Sequence, residues 1–265
     1  MKRPLALLAA AALCAAGLAA AAAEPPKRDD GRRSGFDFMT REVQAIQRDD
    51  AQNPAMLWVQ EGAAAWDRAD GNANRSCASC HGAASEASSR MKGVATRYPA
   101  FDAAVQRPIT LAQRINACRV DHQQATALAP ESQELLALES FVAMQSRGMA
   151  IAPPRDPRLV PFRERGEKLY RQRIGQLDLS CAQCHDERAG ARLAGATIPQ
   201  AHPTGYPLYR LEWQGLGSLQ RRLRGCIAGV RAEPFPYGAV ELTELELYLM
   251  QRAAGMPIEA PAVRP

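Results

Sequence analysis

The chain has 265 residues, 46% of them hydrophobic and 23% charged, with a formal net charge of +5 at pH 7. Lys2 and Arg3 belong to a leader, so the rest of the chain is only mildly basic and makes no case for nucleic acid as a partner. Beyond the leader no stretch is apolar enough to span a membrane, and the length suits two domains of about 100 residues each.

Residues 1–23 read as a secretory signal peptide. Lys2 and Arg3 supply the positive start, Leu5 to Ala22 the apolar run, and Ala21, Ala22 and Ala23 a small-residue cleavage site. A retained membrane anchor is the alternative. Cys14 follows Leu13 rather than a small residue, so it is not a lipoprotein cysteine and leaves with the leader. Export implies the periplasm. Residues 24–50 form an N-terminal extension, 51–152 a first domain and 161–265 a second. The segment Ile151 to Pro161, with Pro153, Pro154, Pro157 and Pro161, reads as a stiff linker at the domain junction.

Six cysteines remain after cleavage. In an exported chain an even count suggests disulfides, but four of these lie in two Cys-x-x-Cys-His motifs. Cys77, Cys80 and His81 form one; Cys181, Cys184 and His185 form the other. Two thiols about one helical turn apart can add to the two vinyl groups of one haem, and the adjacent histidine then becomes the proximal iron ligand. The expectation is two covalently bound c-type haems. Redox or zinc Cys-x-x-Cys sites are the alternative, and zinc would need further ligands nearby.

The two motifs belong to a duplicated unit. An offset of 104 carries Cys77 onto Cys181, Gly62 onto Gly166 and Trp66 onto Tyr170. After the motif, an offset of 108 carries Leu111, Arg114 and Cys118 onto Leu219, Arg222 and Cys226. An offset of 107 then carries Leu138, Glu139, Phe141 and Gly148 onto Leu245, Glu246, Tyr248 and Gly255. Each half reads as helix, haem motif, loop, cysteine and C-terminal amphipathic helix, with Leu135, Leu138 and Val142 on one face in the first copy and Leu242, Leu245 and Leu249 in the second. Gly62 and Gly166 let the first and last helices of each half cross closely. The fold class is therefore all-α, with two cytochrome c-like domains in tandem.

Each iron needs a distal ligand or an open position. Met91, Met144, Met149, Met250 and Met256 are available; Met91 and Met144 have no methionine counterpart in the second half, and Met149 falls on Met256 only past the last helix of each half. His122 falls on Val230, and His202 has no histidine counterpart. Cys118 and Cys226 do correspond, so these thiolates are assigned to the two irons. A Cys118–Cys226 disulfide between domains is the alternative.

At these residues the chain resembles the SoxA family, the A subunit of the sulfur-oxidation cytochrome complex, in its dihaem form. The likeness spans nearly all of the exported chain. It rests on both haem motifs, on Arg222-Leu-Arg-Gly-Cys226, on Arg231-Ala-Glu-Pro-Phe235 with Gly238, and on the Glu244-Leu-Glu-Leu-Tyr248 helix. Many members keep only the second motif. The resemblance implies an L-cysteine S-thiosulfotransferase that pairs with a SoxX-like small cytochrome. It joins thiosulfate oxidatively to a cysteine of a SoxYZ-like carrier and passes two electrons to the partner. By matching position, Cys226 carries sulfur as a persulfide and Arg222 binds substrate.

Arg221, Arg222, Arg224 and Arg231 flank Cys226, and guanidinium forks suit a dianion such as thiosulfate. The alternative is that they pair with haem propionates or face solvent. Arg222 falls on Arg114, whereas Arg221 and Arg224 fall on Gln113 and Asn116, so the added charge belongs to the second copy. A dihaem electron carrier without catalysis is the competing function. A dihaem peroxidase, which needs an open iron position, is a third.

Overall fold

A computed structural model describes residues 30–265 apart from Ala194. The expected signal peptide lies outside the described residues. Among the described residues no helix is long and apolar enough to cross a membrane.

The α-helices follow in chain order: α1 (Arg41–Arg48), α2 (Ala55–Asp67), α3 (Ala78–His81), α4 (Ala87–Arg90), α5 (Leu111–Cys118), α6 (Gln133–Met144), α7 (Val160–Arg171), α8 (Cys181–His185), α9 (Leu219–Gly229) and α10 (Val240–Arg252). The duplication is visible in their packing. In the first half α2 crosses α6, burying Val59 and Trp66 against Leu138, Phe141 and Val142. In the second, α7 crosses α10 and buries Tyr170 against Leu245, Tyr248 and Leu249. The crossing glycines are where the sequence places them. A Cβ on Gly62 would lie 2.1 Å from the Ala137 carbonyl oxygen, and one on Gly166 2.0 Å from that of Glu244. Helix backbones this close leave room only for hydrogen.

The aromatic beside each crossing is tied to the residue after its haem motif. Trp66 Nε1 donates to the Gly82 carbonyl at 2.9 Å, and the Tyr170 hydroxyl donates to Asp186 Oδ1 at 2.8 Å. Two different side chains thus serve one position in the two copies.

The tandem cytochrome c architecture holds, and short strands add to the helices. A hairpin pairs β1 (Ala100–Asp102) with β2 (Arg107–Ile109), and a second pairs β3 (Arg192–Leu193) with β4 (Ala196–Thr197). A three-stranded sheet follows, formed by β5 (Leu208–Arg210), β6 (Gly215–Gly217) and β7 (Ala262–Arg264). β5 pairs antiparallel with β6 and parallel with β7, so the C-terminus is sewn into the second half.

The start of the expected linker is stitched rather than free. The Ile151 N–H donates to Met256 O at 2.8 Å, and the Gly148 N–H donates to Ile258 O at 2.8 Å. Ile151 is buried with Ala143, Ala253, Met256 and Ile258. The proline-rich composition suggests only stiffness; the pairing partners lie about a hundred residues on and leave no local signal. The N-terminal extension also docks on the second half: Ser34 Oγ donates to Glu259 at 2.5 Å and Arg32 donates to the carbonyls of Arg252 and Ala254.

Candidate functional site

In the first copy Cys77 caps the short helix α3, which carries Cys80 and His81. The His81 ring lies 5.6 Å from Trp66, centroid to centroid. A cavity of about 260 Å³ is lined by Trp66, Cys77, Cys80, His81, Leu138 and Val142 together with Leu111, Ile115 and Cys118 of α5. Met91 and His122 also border it. Met256 is packed between the halves instead, and Met149 lies against Gly93. A paired-thiol and histidine face opposed by a sulfur ligand, with apolar walls between, is a donor set that fits a covalently attached haem. Cys77 and Cys80 would hold it covalently, and His81 and Cys118 would bind its iron.

In the second copy Ser180 caps α8 through a capping box with Gln183, which fixes the turn that carries Cys181, Cys184 and His185. His185 Nδ1 lies 2.7 Å from the Pro199 carbonyl oxygen. A carbonyl only accepts, so Nδ1 carries a proton and Nε2 is the nitrogen left to face Cys226 or to bind a metal; a backbone carbonyl is a usual device for orienting a proximal ligand in this way. Cys226 of α9 is hydrogen-bonded to His185, so the second motif also faces its cysteine. All six described cysteines are free, and Cys118 and Cys226 are not joined.

The thiols differ in their electrostatics. Burial pushes Cys77 and Cys181 each up to about 11. Burial also raises Cys118, where the favourable charge of Arg114 is opposed by Asp121. Cys226 goes the other way. Burial works against its thiolate, but the His185 hydrogen bond and the charges of Arg222, His185 and Arg210 outweigh it and hold the thiol below its ordinary value.

The arginines around Cys226 sort into two groups. Arg222 is one helical turn before Cys226 on the same face of α9, and its charge acts on the thiol. Arg221 and Arg224 turn away. The Arg221 guanidinium lies 4.2 Å over the Trp213 ring, and Arg224 lies 4.5 Å over Tyr237 and donates to the Phe235 carbonyl. These two are anchored by aromatic faces, so the structure corrects the expectation that they flank the thiol. Arg231 is likewise not among the charges that act on Cys226. Arg210 takes their place. It ends β5, is 8% exposed and acts directly on Cys226. Its signal in the sequence is the repeat itself, extended into the loop before α9.

Comparison with known proteins agrees with this architecture. A family model for the SoxA/TsdA cytochrome c domain matches twice, at residues 61–151 and 165–258. The L-cysteine S-thiosulfotransferase subunit SoxA of Rhodovulum sulfidophilum is 36% identical over 237 residues, 89% of this chain and 82% of its own. The subunit of the same name from Pseudaminobacter salicylatoxidans is 37% identical over 87% of this chain and 80% of its own. The crystal structure of SoxXA from P. pantotrophus is similar at 33% identity and a TM-score of 0.83, covering 88% of this chain and 87% of that one. With both halves matched and the crossing helices, haem motifs and facing cysteines in register, the chain belongs to the SoxA/TsdA cytochrome c family.

Proposed function

We propose that this chain is the SoxA-type subunit of an L-cysteine S-thiosulfotransferase, exported to the periplasm, and that it works in a heterodimer with a SoxX-like small cytochrome c. In the overall reaction one S–S bond forms between the sulfane sulfur of thiosulfate and a cysteine of a SoxYZ-like carrier. The carrier thiol loses its proton, and two electrons leave one at a time for the partner cytochrome. Each of two covalently bound haems supplies a one-electron acceptor at its iron. Cys77, Cys80, Cys181 and Cys184 would hold them covalently, and His81 and Cys118 in the first half and His185 and Cys226 in the second would bind the irons.

The residues of the second half have separable tasks. Arg222 holds the thiosulfate anion and sets its charge beside the thiol. The Cys226 thiolate joins the sulfane sulfur as Cys226–S–S–SO3−, giving up two electrons. The carrier thiolate then takes the S–SO3− group and releases the Cys226 thiolate; loss of the sulfonate to water as sulfate leaves sulfur on Cys226 as a persulfide. The Pro199 carbonyl keeps the His185 proton on Nδ1 and so fixes the ring. The first half repeats the frame without the same charge, and it serves as a distal redox site.

The observation that supports catalysis at one copy is the contrast between equivalent cysteines. Beside the His185 contact, Cys226 has the positive charges of both Arg222 and Arg210, whereas the single arginine near Cys118, Arg114, is paired with Asp102 at 2.6 Å. A plain electron carrier has no need of that difference. The test is Cys226→Met, assayed with the partner cytochrome and the carrier, alongside a haem stain. The expected result is both haems retained and thiosulfate-dependent coupling lost. Retained turnover would remove Cys226 from the reaction and leave an electron carrier.

A further inference from the structure

An ion pair of the first half is missing from the second, and the difference lies beside Cys226. In the first half Asp102 ends β1 opposite Arg107 of β2. Its carboxylate accepts a hydrogen bond from Arg114 at 2.6 Å, and Arg114 is one helical turn before Cys118. The offset of 108 that carries Arg114 and Cys118 onto Arg222 and Cys226 also carries Tyr98 onto Tyr206 and Asp102 onto Arg210. The fold agrees with that alignment, because Arg210 ends β5 opposite Gly215 of β6 as Asp102 does opposite Arg107. Asp102 and Arg210 are each 8% exposed. The position that neutralises an arginine in one copy therefore carries a second buried guanidinium in the other.

The second copy does not balance this charge. Arg210 and Arg222 act on each other as like charges, and both act on Cys226 and on Tyr206. No carboxylate pairs with Arg222 among the described residues. Arg210 Nε lies 2.9 Å from Glu212, but that carboxylate is 51% exposed and the N–H is not aligned with it, so the buried Nε–H donates to nothing. Two guanidinium groups thus share one solvent-facing counter-charge. Unpaired charge away from water is costly, and an anion between the two relieves the cost.

We propose that Arg210 is the second thiosulfate-binding residue of the Cys226 pocket and that it forms with Arg222 a two-pronged dianion clamp, produced where one copy of the duplication exchanged aspartate for arginine. The inference rests on reading the second half as the thiosulfate site. Thiosulfate carries its charge on a three-oxygen sulfonate end and on the sulfane sulfur. Two guanidinium forks bind the oxygens in defined directions, which leaves the sulfane end for Cys226. Arg222 alone, neutralised as Arg114 is, would lack this preference for a doubly charged ligand.

The test compares Arg210→Gln, Arg210→Lys and Arg210→Asp in the complete complex with its partner cytochrome. Arg210→Asp recreates the ion pair of the first half, so it keeps the fold while removing the clamp. Calorimetry reads thiosulfate binding, the coupling assay reads KM and kcat, and redox titration reads the second haem. Arg210→Gln should weaken thiosulfate binding and raise KM by roughly ten- to a hundredfold, the loss of one charge-assisted hydrogen-bonded contact. Arg210→Asp should do so more severely, and Arg210→Lys should recover part of the loss, with both haems retained throughout. Unchanged binding in Arg210→Gln overturns the proposal. If the potential of the second haem shifts in that case, Arg210 serves a haem propionate instead. Absence of thiosulfate binding by the wild type overturns the clamp as well. Arg210-dependent binding without any coupling to the carrier would leave the clamp standing and refute the proposed reaction.

Discussion

Glu139 and Glu246 occupy equivalent positions of α6 and α10 and line the same cavity of about 130 Å³ between the halves. Both are half-buried, and Glu139 Oε2 is buried without a hydrogen-bond partner. Burial, then the charges of Glu246 and Glu131, raise Glu139 from 4.5 to about 8; burial and the charge of Glu131 raise Glu246 to about 7 against a hydrogen bond from Gln220. Native carboxyls raised above their unfolded values hold protons that the unfolded chain gives up. Their contribution to stability is therefore intact below 4.5 and is lost as pH rises through about 7 and about 8. Each tenfold gain in proton affinity on folding is worth about 1.4 kcal/mol, which sets a ceiling of several kcal/mol. Water entering the cavity lowers the loss for the pair to about 2–4 kcal/mol. In the Glu139→Gln, Glu246→Gln double variant this pH dependence should vanish, because amides keep the shape and the neutral state. The assay is urea unfolding of the haem-loaded protein at pH values from about 5 to about 9, with the variant overtaking the wild type near the alkaline end. Parallel stability profiles for the two proteins would show that these carboxyls ionise freely and that the cavity is open to water.

Gly166→Ala would drive a methyl group into the Glu244 carbonyl, so α7 and α10 must separate; thermal unfolding should show a loss of about 1–3 kcal/mol or more despite the better helix propensity of alanine. Gly229→Ala, with nothing within 4 Å of the added carbon, should instead be neutral or gain up to about 1 kcal/mol, and a loss of the size seen at Gly166 would void the steric argument. Arg221→Ala and Arg224→Ala should leave the KM for thiosulfate unchanged, since their guanidinium groups are spent on Trp213 and Tyr237; a rise in KM would return them to the pocket. Cys118→Met should alter the optical spectrum of the first haem alone, and an altered second spectrum would contradict separate sites.

Much of this site is legible in the chain because its chemistry is local. Cys-x-x-Cys-His places three haem contacts within five residues, and the repeat locates Cys118 and Cys226 without any contact information. Gly62 and Gly166 mark the helix crossings for the same reason: a close backbone approach needs glycine, and the repeat supplies it twice. Arg210 escapes a reading of the chain because its role depends on strand pairing. The offset changes from 104 to 108 across the loop after the haem motif, and although 108 carries Asp102 onto Arg210, only the matching hairpins β1–β2 and β5–β6 show that this offset already holds there. Arg221 and Arg224 mislead because a charge run near a cysteine does not say which way each side chain turns; Trp213 and Tyr237 decide that from outside the helix. The parallel pairing of β7 with β5 joins segments some fifty residues apart and has no local pattern to announce it.

The central claim is that sulfur passes through Cys226. Peptide mass analysis of the complex after turnover with thiosulfate, digested without reductant, tests it directly. The account predicts a sub-population heavier by one sulfur atom on the peptide containing Cys226, removable by a thiol reductant, with no such species on the peptide containing Cys118. Extra sulfur on the Cys118 peptide, or on neither peptide while thiosulfate is being consumed, would contradict it.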